Sequence, residues 1–128
     1  MFQVSINGEP VEGDVTFLTA VIYEQEFSRD IIKDLFGKQD AESGAIEIAG
    51  KGDKARIVSI DYTKVDWTNV MRAVWAAIRT ADDSVPSFKA WMKSVRNANS
   101  WELRSMVVDA AYDCFFRAEL AEEGAEAE

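Results

Sequence analysis

The sequence predicts a mainly α (α+β) fold, a four-helix domain with an N-terminal β-hairpin and a second short hairpin. Three observations favour this class. The chain has 128 residues of which 48% are apolar, which is enough for one globular core. Apolar residues recur at three- and four-residue steps along most of the chain, and two segments instead show strand-like composition around turn residues. We expect one domain over residues 1–118 and an acidic, disordered tail over residues 119–128, which holds five Glu and no basic residue.

The first hairpin is predicted from alternation at the start of the chain. Phe2, Val4 and Ile6 alternate with polar residues, and Asn7-Gly8 is a turn dipeptide. Extended character resumes over residues 11–17. Pro10 has no N–H to donate, so it is expected beside the turn or at the start of the second strand.

A helix is predicted over residues 18–36. Gly37, directly after the last apolar pair, is expected to end it as a left-handed cap. The apolar positions that carry the helical spacing are Leu18, Val21, Ile22, Ile31, Ile32, Leu35 and Phe36.

The segment from residue 45 to residue 62 is predicted to form the second hairpin. Residues 45–48 and 56–62 have strand-like composition, and the glycine-containing stretch 50–53 lies between them. Its alternation is imperfect, which indicates a loose tip.

The helix predicted over residues 64–81 has the most regular apolar stripe. Trp75 lies at the centre of that stripe and is therefore expected to anchor the core. Thr63 followed by Asp66 resembles a capping box at its start. The stripe consists of Trp67, Val70, Met71, Val74, Trp75 and Ile78.

Two further helices are predicted, over residues 86–96 and 100–118. Pro86 suits a first helical turn, and residues 97–100 separate the two helices. The apolar face of the last helix is wider than one stripe, so either another helix of the chain or a partner covers it. The predicted partner-binding residues on this face are Val108, Tyr112, Phe115 and Phe116.

Composition excludes several function classes. The chain has no histidine and a single cysteine, Cys114, so disulfides, Cys/His zinc sites and Ser-His-Asp or Cys-His catalysis each lack a partner. A net charge of −9 disfavours binding to nucleic acid or to anionic lipid. The longest apolar runs, such as residues 74–78, are far shorter than a membrane span, and the N-terminus does not resemble a signal peptide. A cytosolic protein is expected.

Two candidate sites have more ordinary interpretations. Residues 50–54 contain two glycines and two lysines, but they lead into a strand and lack the spacing of a phosphate-binding loop, so a polar hairpin tip is predicted. Glu24, Glu26, Asp30 and Asp34 lie on one predicted helix with basic residues between them. That pattern is typical of a solvated face with local ion pairs.

The aromatic residues and the cysteine are likewise expected to be structural. Trp67, Trp75 and Trp91 lie on apolar stripes, whereas Trp101 opens the last helix, where it can staple the start. A stacking platform for nucleic acid would also need a cationic groove. Cys114 is expected to be a small buried hydrophobe. The sequence therefore predicts no catalytic residue, no cofactor and no metal site.

The order of these elements resembles the tail assembly chaperones of long-tailed (siphovirus-type) bacteriophages and prophages of Gram-positive bacteria. The resemblance covers residues 1–118. It is carried by the opening hairpin at residues 2–8, by residues 23–27 continuing to 34–37, by the tryptophan-containing helix at 66–77, and by the short helix at 88–92. The predicted hairpin at 45–62 is longer than the family requires.

The resemblance implies a non-enzymatic chaperone that binds the phage tape-measure protein and keeps it soluble during tail-tube assembly. The tail-tube protein and a second copy of the chain are further candidate partners. Such a protein is expected in the host bacterial cytoplasm and not in the mature virion. The alternatives are another phage structural or adaptor protein, or an acidic decoy. A decoy is disfavoured because the acidic residues do not cover one face but concentrate in the tail or alternate with Lys and Arg.

Overall fold

The computed structural model describes residues 1–36 and 65–116, together with the backbone of residues 46–49 and 56–60. Within these residues the chain forms five helices and two antiparallel hairpins, which confirms the predicted mainly α (α+β) class. Helix α3 lies at the centre and packs against all four other helices, as well as against β2. The elements are β1 (Phe2–Ile6), β2 (Glu9–Gly13), α1 (Phe17–Phe27), α2 (Ile31–Phe36), β3 (Ile46–Ala49), β4 (Arg56–Ile60), α3 (Trp67–Ala81), α4 (Phe88–Ser94) and α5 (Ser100–Phe115).

The N-terminal hairpin forms as predicted around Asn7 and Gly8. Their φ angles are 56° and 78°, the left-handed values that a two-residue hairpin turn requires. The Asn7 side chain also fixes the tip to the loop between α4 and α5, because its Oδ1 accepts the N–H of Arg96 at 2.7 Å and that of Asn97 at 3.1 Å. Pro10 is the second residue of β2, close to the turn.

The single helix predicted over residues 18–36 is wrong, because two helices occupy this range. Ser28 ends α1 in the left-handed conformation, with φ 55° and ψ 40°, and its N–H donates to the Glu24 carbonyl oxygen at 2.7 Å. Asp30 then caps α2 by accepting the N–H of Ile32 at 2.9 Å. Helical spacing continues across the break, which is why periodicity alone did not reveal it. Gly37 lies outside the described residues.

Helix α3 supplies most of the core. Asp66 caps it by accepting the N–H of Thr68 at 2.8 Å. Asp66 is therefore the N-cap itself and not the N3 residue of a capping box that begins at Thr63. Trp75 is buried, as predicted, and its indole N–H donates to the Pro86 carbonyl oxygen at 2.9 Å. The buried residues of α3 are Val70, Met71, Ala73, Val74, Trp75, Ala76, Ala77 and Ile78.

The last two helices are shorter than the predicted ranges 86–96 and 100–118. Ser87 caps α4, so Pro86 precedes the helix instead of occupying its first turn. Asn99 caps α5 by accepting the N–H groups of Trp101 and Glu102 at 3.0 and 3.1 Å. The second hairpin is present as β3 paired with β4, with an irregularity between Glu47 and Ile48. Its tip and the predicted tail at 119–128 lie outside the described residues.

Candidate partner-binding surface

The apolar face predicted on α5 is directed largely into the chain itself. Val108 is fully buried where α5 packs on α3, so it is a core residue and not a surface residue. Tyr112, Phe115 and Phe116 are half-buried. The Phe116 ring is edge-on to that of Phe36, with centroids 5.0 Å apart. A binding role for the three aromatic residues stays a prediction.

Three large apolar side chains near the start of α1 are exposed to solvent. Phe17 is 74% exposed, Leu18 54% and Val21 46%. At 100° per residue, these three side chains lie within an arc of about 100° on one side of the helix. The Phe17 ring also lies 5.8 Å from the Phe115 ring, centroid to centroid, and so joins this surface to the end of α5. We call Phe17, Leu18 and Val21 the α1 patch.

Leu18 and Val21, two of the residues that carry the helical spacing in the sequence, therefore face solvent. The buried residues of α1 are Thr19 and Tyr23. The Thr19 hydroxyl oxygen lies 2.7 Å from that of Thr80 on α3, and this contact orients the helix. At 100° per residue, Leu18 points about 100° and Val21 about 160° away from the buried side chain of Thr19, so both are turned outward.

Thr19 is fixed by more than one polar contact. Its hydroxyl accepts the N–H of Thr16 at 3.0 Å, which completes a capping box at the start of α1, and it lies 3.1 Å from the Asp14 carbonyl oxygen. The Thr80 hydroxyl donates to the Ala76 carbonyl oxygen at 2.7 Å. The Thr-x-x-Thr spacing was the sequence signal that could have indicated this helix start.

A groove of about 530 Å³ lies between the start of α1 and the outer side of α5. Cys114 lines it and is half-buried, in contrast to the buried position predicted for this residue. Three of the apolar residues on its α5 side are spaced four residues apart, and therefore form a row along the helix. The apolar lining consists of Met1, Phe2, Val15, Phe17, Met106, Ala110 and Cys114.

Three carboxylates border this groove. Asp109 and Asp113 are exposed on α5, and Asp14 lies at the end of the N-terminal hairpin, 3.6 Å from the Met1 amine. Burial, and secondly the negative charge of Asp14, raise the pKa of the Cys114 thiol above its ordinary value. The groove thus combines an apolar floor with an acidic rim.

The carboxylates predicted to form a solvated face on one helix are separated by the break at Ser28. Glu24, Glu26 and Asp30 are exposed, but the Asp34 side chain is only 8% exposed. Its carboxylate accepts two hydrogen bonds from Arg29, at 2.6 and 2.9 Å. Asp34 is therefore a structural residue at the corner between α1 and α2, and not part of a solvated stripe.

Tyr23 completes this corner. Its hydroxyl donates to the Asp34 carboxylate at 2.7 Å. Burial acts to raise the pKa of Asp34, but the hydrogen bonds from Arg29 and Tyr23 and the nearby positive charge outweigh it and hold that pKa below its ordinary value. Burial, followed by the bond to and charge of Asp34, raises the pKa of Tyr23 well above its ordinary value.

The four tryptophans divide into two pairs. Trp75 and Trp91 are buried, as predicted. Trp67 is exposed, which contradicts its assignment to the core stripe; it is the first residue of α3. Trp101 is also exposed, and the Arg104 guanidinium lies 6.0 Å from its ring centroid.

In the described part of the chain, no three His, Cys, Asp or Glu side chains converge as a metal site would require. No helix within residues 1–36 or 65–116 has both the length and the hydropathy of a membrane span. Residues 50–54, which are predicted to form a polar hairpin tip and not a phosphate-binding loop, lie outside the described residues.

Comparison of the chain with protein-family models, with curated proteins and with solved structures finds no match. The α1 patch and the groove beside it are the features from which a function can be inferred.

Proposed function

We propose that the chain is a non-enzymatic tail assembly chaperone, which binds the tape-measure protein of a long-tailed phage and keeps it soluble while the tail tube assembles. The observation that carries the proposal is the α1 patch, in which three adjacent large apolar side chains face solvent. Exposed apolar residues that cluster beside a groove are typical of a protein-binding surface. The family resemblance of residues 1–118 supplies the identity of the partner.

The size of the patch suits a weak, repeated contact. Burying an exposed side chain of this kind contributes about 1.5–3 kcal/mol, and the three residues of the patch are already partly covered. Association itself costs about 4–15 kcal/mol, so one such contact binds weakly. A long helical partner offers many equivalent segments, and several chaperone copies together can cover its apolar face.

The carboxylates of the described residues support a non-enzymatic role. Asp34 is the most buried carboxylate of the cluster predicted on one helix. Arg29 and Tyr23 hold it at the corner between α1 and α2, away from the groove. The carboxylates at the groove are on its rim, next to mostly apolar side chains, and the raised pKa of the Cys114 thiol among them disfavours the reactive thiolate. A chaperone of this class acts in the host bacterial cytoplasm and is absent from the mature virion.

Co-expression with the tape-measure protein of the same genome tests the proposal. The amount of tape-measure protein in the soluble fraction is measured with the parent chain and with the double variant Phe17→Ser/Leu18→Ser. We expect the parent to keep the partner soluble and the double variant to lose this effect while staying folded. Trp67→Ser is the matched control, because Trp67 is also exposed but lies at the far end of α3, roughly 20 Å from the end that meets α1.

The same experiment discriminates the alternatives. A partner that stays equally soluble with the parent and with the double variant would contradict the proposed surface. If the chain instead captures the tail-tube protein and leaves the tape-measure protein insoluble, an adaptor role replaces the chaperone role. An acidic decoy would bind through its charge, and its binding would be unaffected by the two serine substitutions.

A further inference from the structure

We infer that the groove beside the α1 patch binds an amphipathic helix whose apolar stripe is bordered by Lys or Arg side chains. The inference rests on the proposed function, because it specifies the chemistry of the partner at the same surface. It is carried by the arrangement of apolar and acidic residues along α5.

Two parallel rows run along the outer side of α5. Met106, Ala110 and Cys114 are spaced four residues apart and form an apolar row about 12 Å long. Asp109 and Asp113 have the same spacing and each precede a member of that row, so they form an acidic row beside it. A helix lying along α5 would place its own apolar stripe on the first row and its flanking side chains on the second.

The negative charge of the acidic row favours cationic side chains on the border of the bound helix that lies against it. Asp109 and Asp113 lie at the i and i+4 positions along the groove, and Asp14, whose carboxylate lies 3.6 Å from the Met1 amine, is the third carboxylate there. Lys or Arg side chains four residues apart on the partner would match this spacing.

A second copy of the chain fits the groove less well than a basic helix. Each copy carries a net charge of −9 and would bring the same three carboxylates to the contact. Opposing like charges across an interface disfavour association. The occupant is therefore a helical segment of opposite charge.

Two synthetic helical peptides test the inference. They have equal length and the same leucine stripe, but one carries Lys and the other Glu along its borders. Cys114 reports occupancy of the groove, because it lines the floor and is the one cysteine in the sequence, so a bound peptide slows its alkylation. We expect the Lys peptide to protect Cys114 at a concentration about fivefold lower than the Glu peptide, since each exposed charge pair contributes modestly.

Matched variants separate the rim from the overall charge. Asp109→Asn/Asp113→Asn should remove most of the preference for the Lys peptide. Glu26→Gln/Asp83→Asn removes the same two charges from exposed residues that do not line the groove, and should leave the preference intact. Far-UV circular dichroism checks that both variants are folded.

Several results would overturn the inference. One is equal protection of Cys114 by the two peptides, and another is an equal loss of preference for the Lys peptide in both double variants. A third is a dimer of the parent chain that Phe17→Ser dissociates. The two proposals fail in distinguishable ways. If neither charge pattern is preferred but the tape-measure protein still requires Phe17 for solubility, the proposed function stands and the inference falls. If the Lys peptide is preferred but tape-measure solubility is independent of Phe17, the chaperone proposal falls.

Discussion

Helices α1 and α3 pack against each other, yet they distribute their apolar residues in opposite ways. On α3, eight of fifteen residues are buried, all of them apolar. On α1, two of eleven are buried, and one of these is Thr19. The largest apolar side chains of the first turn of α1, including Phe17, face solvent instead.

The difference follows from position in the fold. α3 is surrounded by α1, α2, α4, α5 and β2, so nearly its whole circumference is covered. α1 lies at the outside and packs mainly on α3 and α2, which leaves part of its surface open to solvent. Its exposed apolar residues contribute little to folding and reduce solubility, which is the pattern expected where a surface is kept for binding. The comparison thus separates residues that hold the fold from residues available to a partner.

The largest expected effect distinguishes these two classes directly. Trp75→Ala should lower the free energy of unfolding by about 3–5 kcal/mol, because it leaves a cavity in the core and removes a partly buried hydrogen bond. Phe17→Ala should lower it by less than about 1 kcal/mol, since the loss is confined to an exposed ring and its contact with Phe115. Urea unfolding followed by far-UV circular dichroism measures both, and similar values would remove the distinction.

The polar contact that orients α1 should have the next largest effect. Thr19→Val removes the buried hydroxyl and leaves its half-buried partners at Thr16, Asp14 and Thr80 without it, so we expect a loss of about 2 kcal/mol. Thr19→Ser keeps the hydroxyl and serves as the control. If the valine variant is as stable as the serine variant, apolar packing and not the hydrogen bonds determines which face of α1 is buried.

The contrast also explains which elements the sequence predicts. On α3, polar residues such as Asn69 and Arg72 interrupt the stripe on one side, so periodicity indicates the buried face. On α1, the apolar side chains spread over more than one side of the helix, as Leu18, Val21 and Ile22 do. Periodicity therefore does not indicate which face of α1 is buried. The choice depends on a contact between Thr19 and Thr80, 61 residues apart, which no local pattern contains.

The partner-binding surface shows the same dependence on long-range contacts. The breadth of the apolar face on α5 was visible in the sequence, but part of that face is covered within the chain, where Val108 meets the core and Phe116 meets Phe36. The groove forms because the start of α1 lies beside α5, and these two segments are far apart in the sequence. Its acidic rim likewise joins Asp14 to residues almost a hundred positions later.

The corner between α1 and α2 should show a smaller, pH-dependent effect. Tyr23→Phe removes the hydrogen bond to Asp34, and we expect a loss of about 1.5 kcal/mol near neutral pH, while the bonds from Arg29 remain.

The pH dependence follows from the lowered pKa of Asp34. A carboxylate with a lowered folded-state pKa contributes stability above its ordinary value of 3.8, and this contribution is lost as the pH falls through the folded-state value. The difference between parent and variant should be constant from about pH 5 to 7 and shrink in acid. Chemical unfolding at several pH values measures it. A difference that grows in acid would contradict the ionised state of Asp34 in this corner.

The smallest expected effect is a gain in stability at the break that ends α1. Ser28 has a φ of 55°, a conformation that costs a residue with a Cβ about 1–2 kcal/mol, whereas glycine adopts it freely. Glycine also makes the unfolded chain more flexible, which offsets about 0.5–1 kcal/mol of that gain. Ser28→Gly should therefore raise the free energy of unfolding by about 0.5 kcal/mol, the difference between these two contributions. Ser28→Ala keeps the strain and should give no gain. If the glycine variant is less stable than the alanine variant, the break is maintained by the Asp30 cap of α2 and not by the left-handed residue.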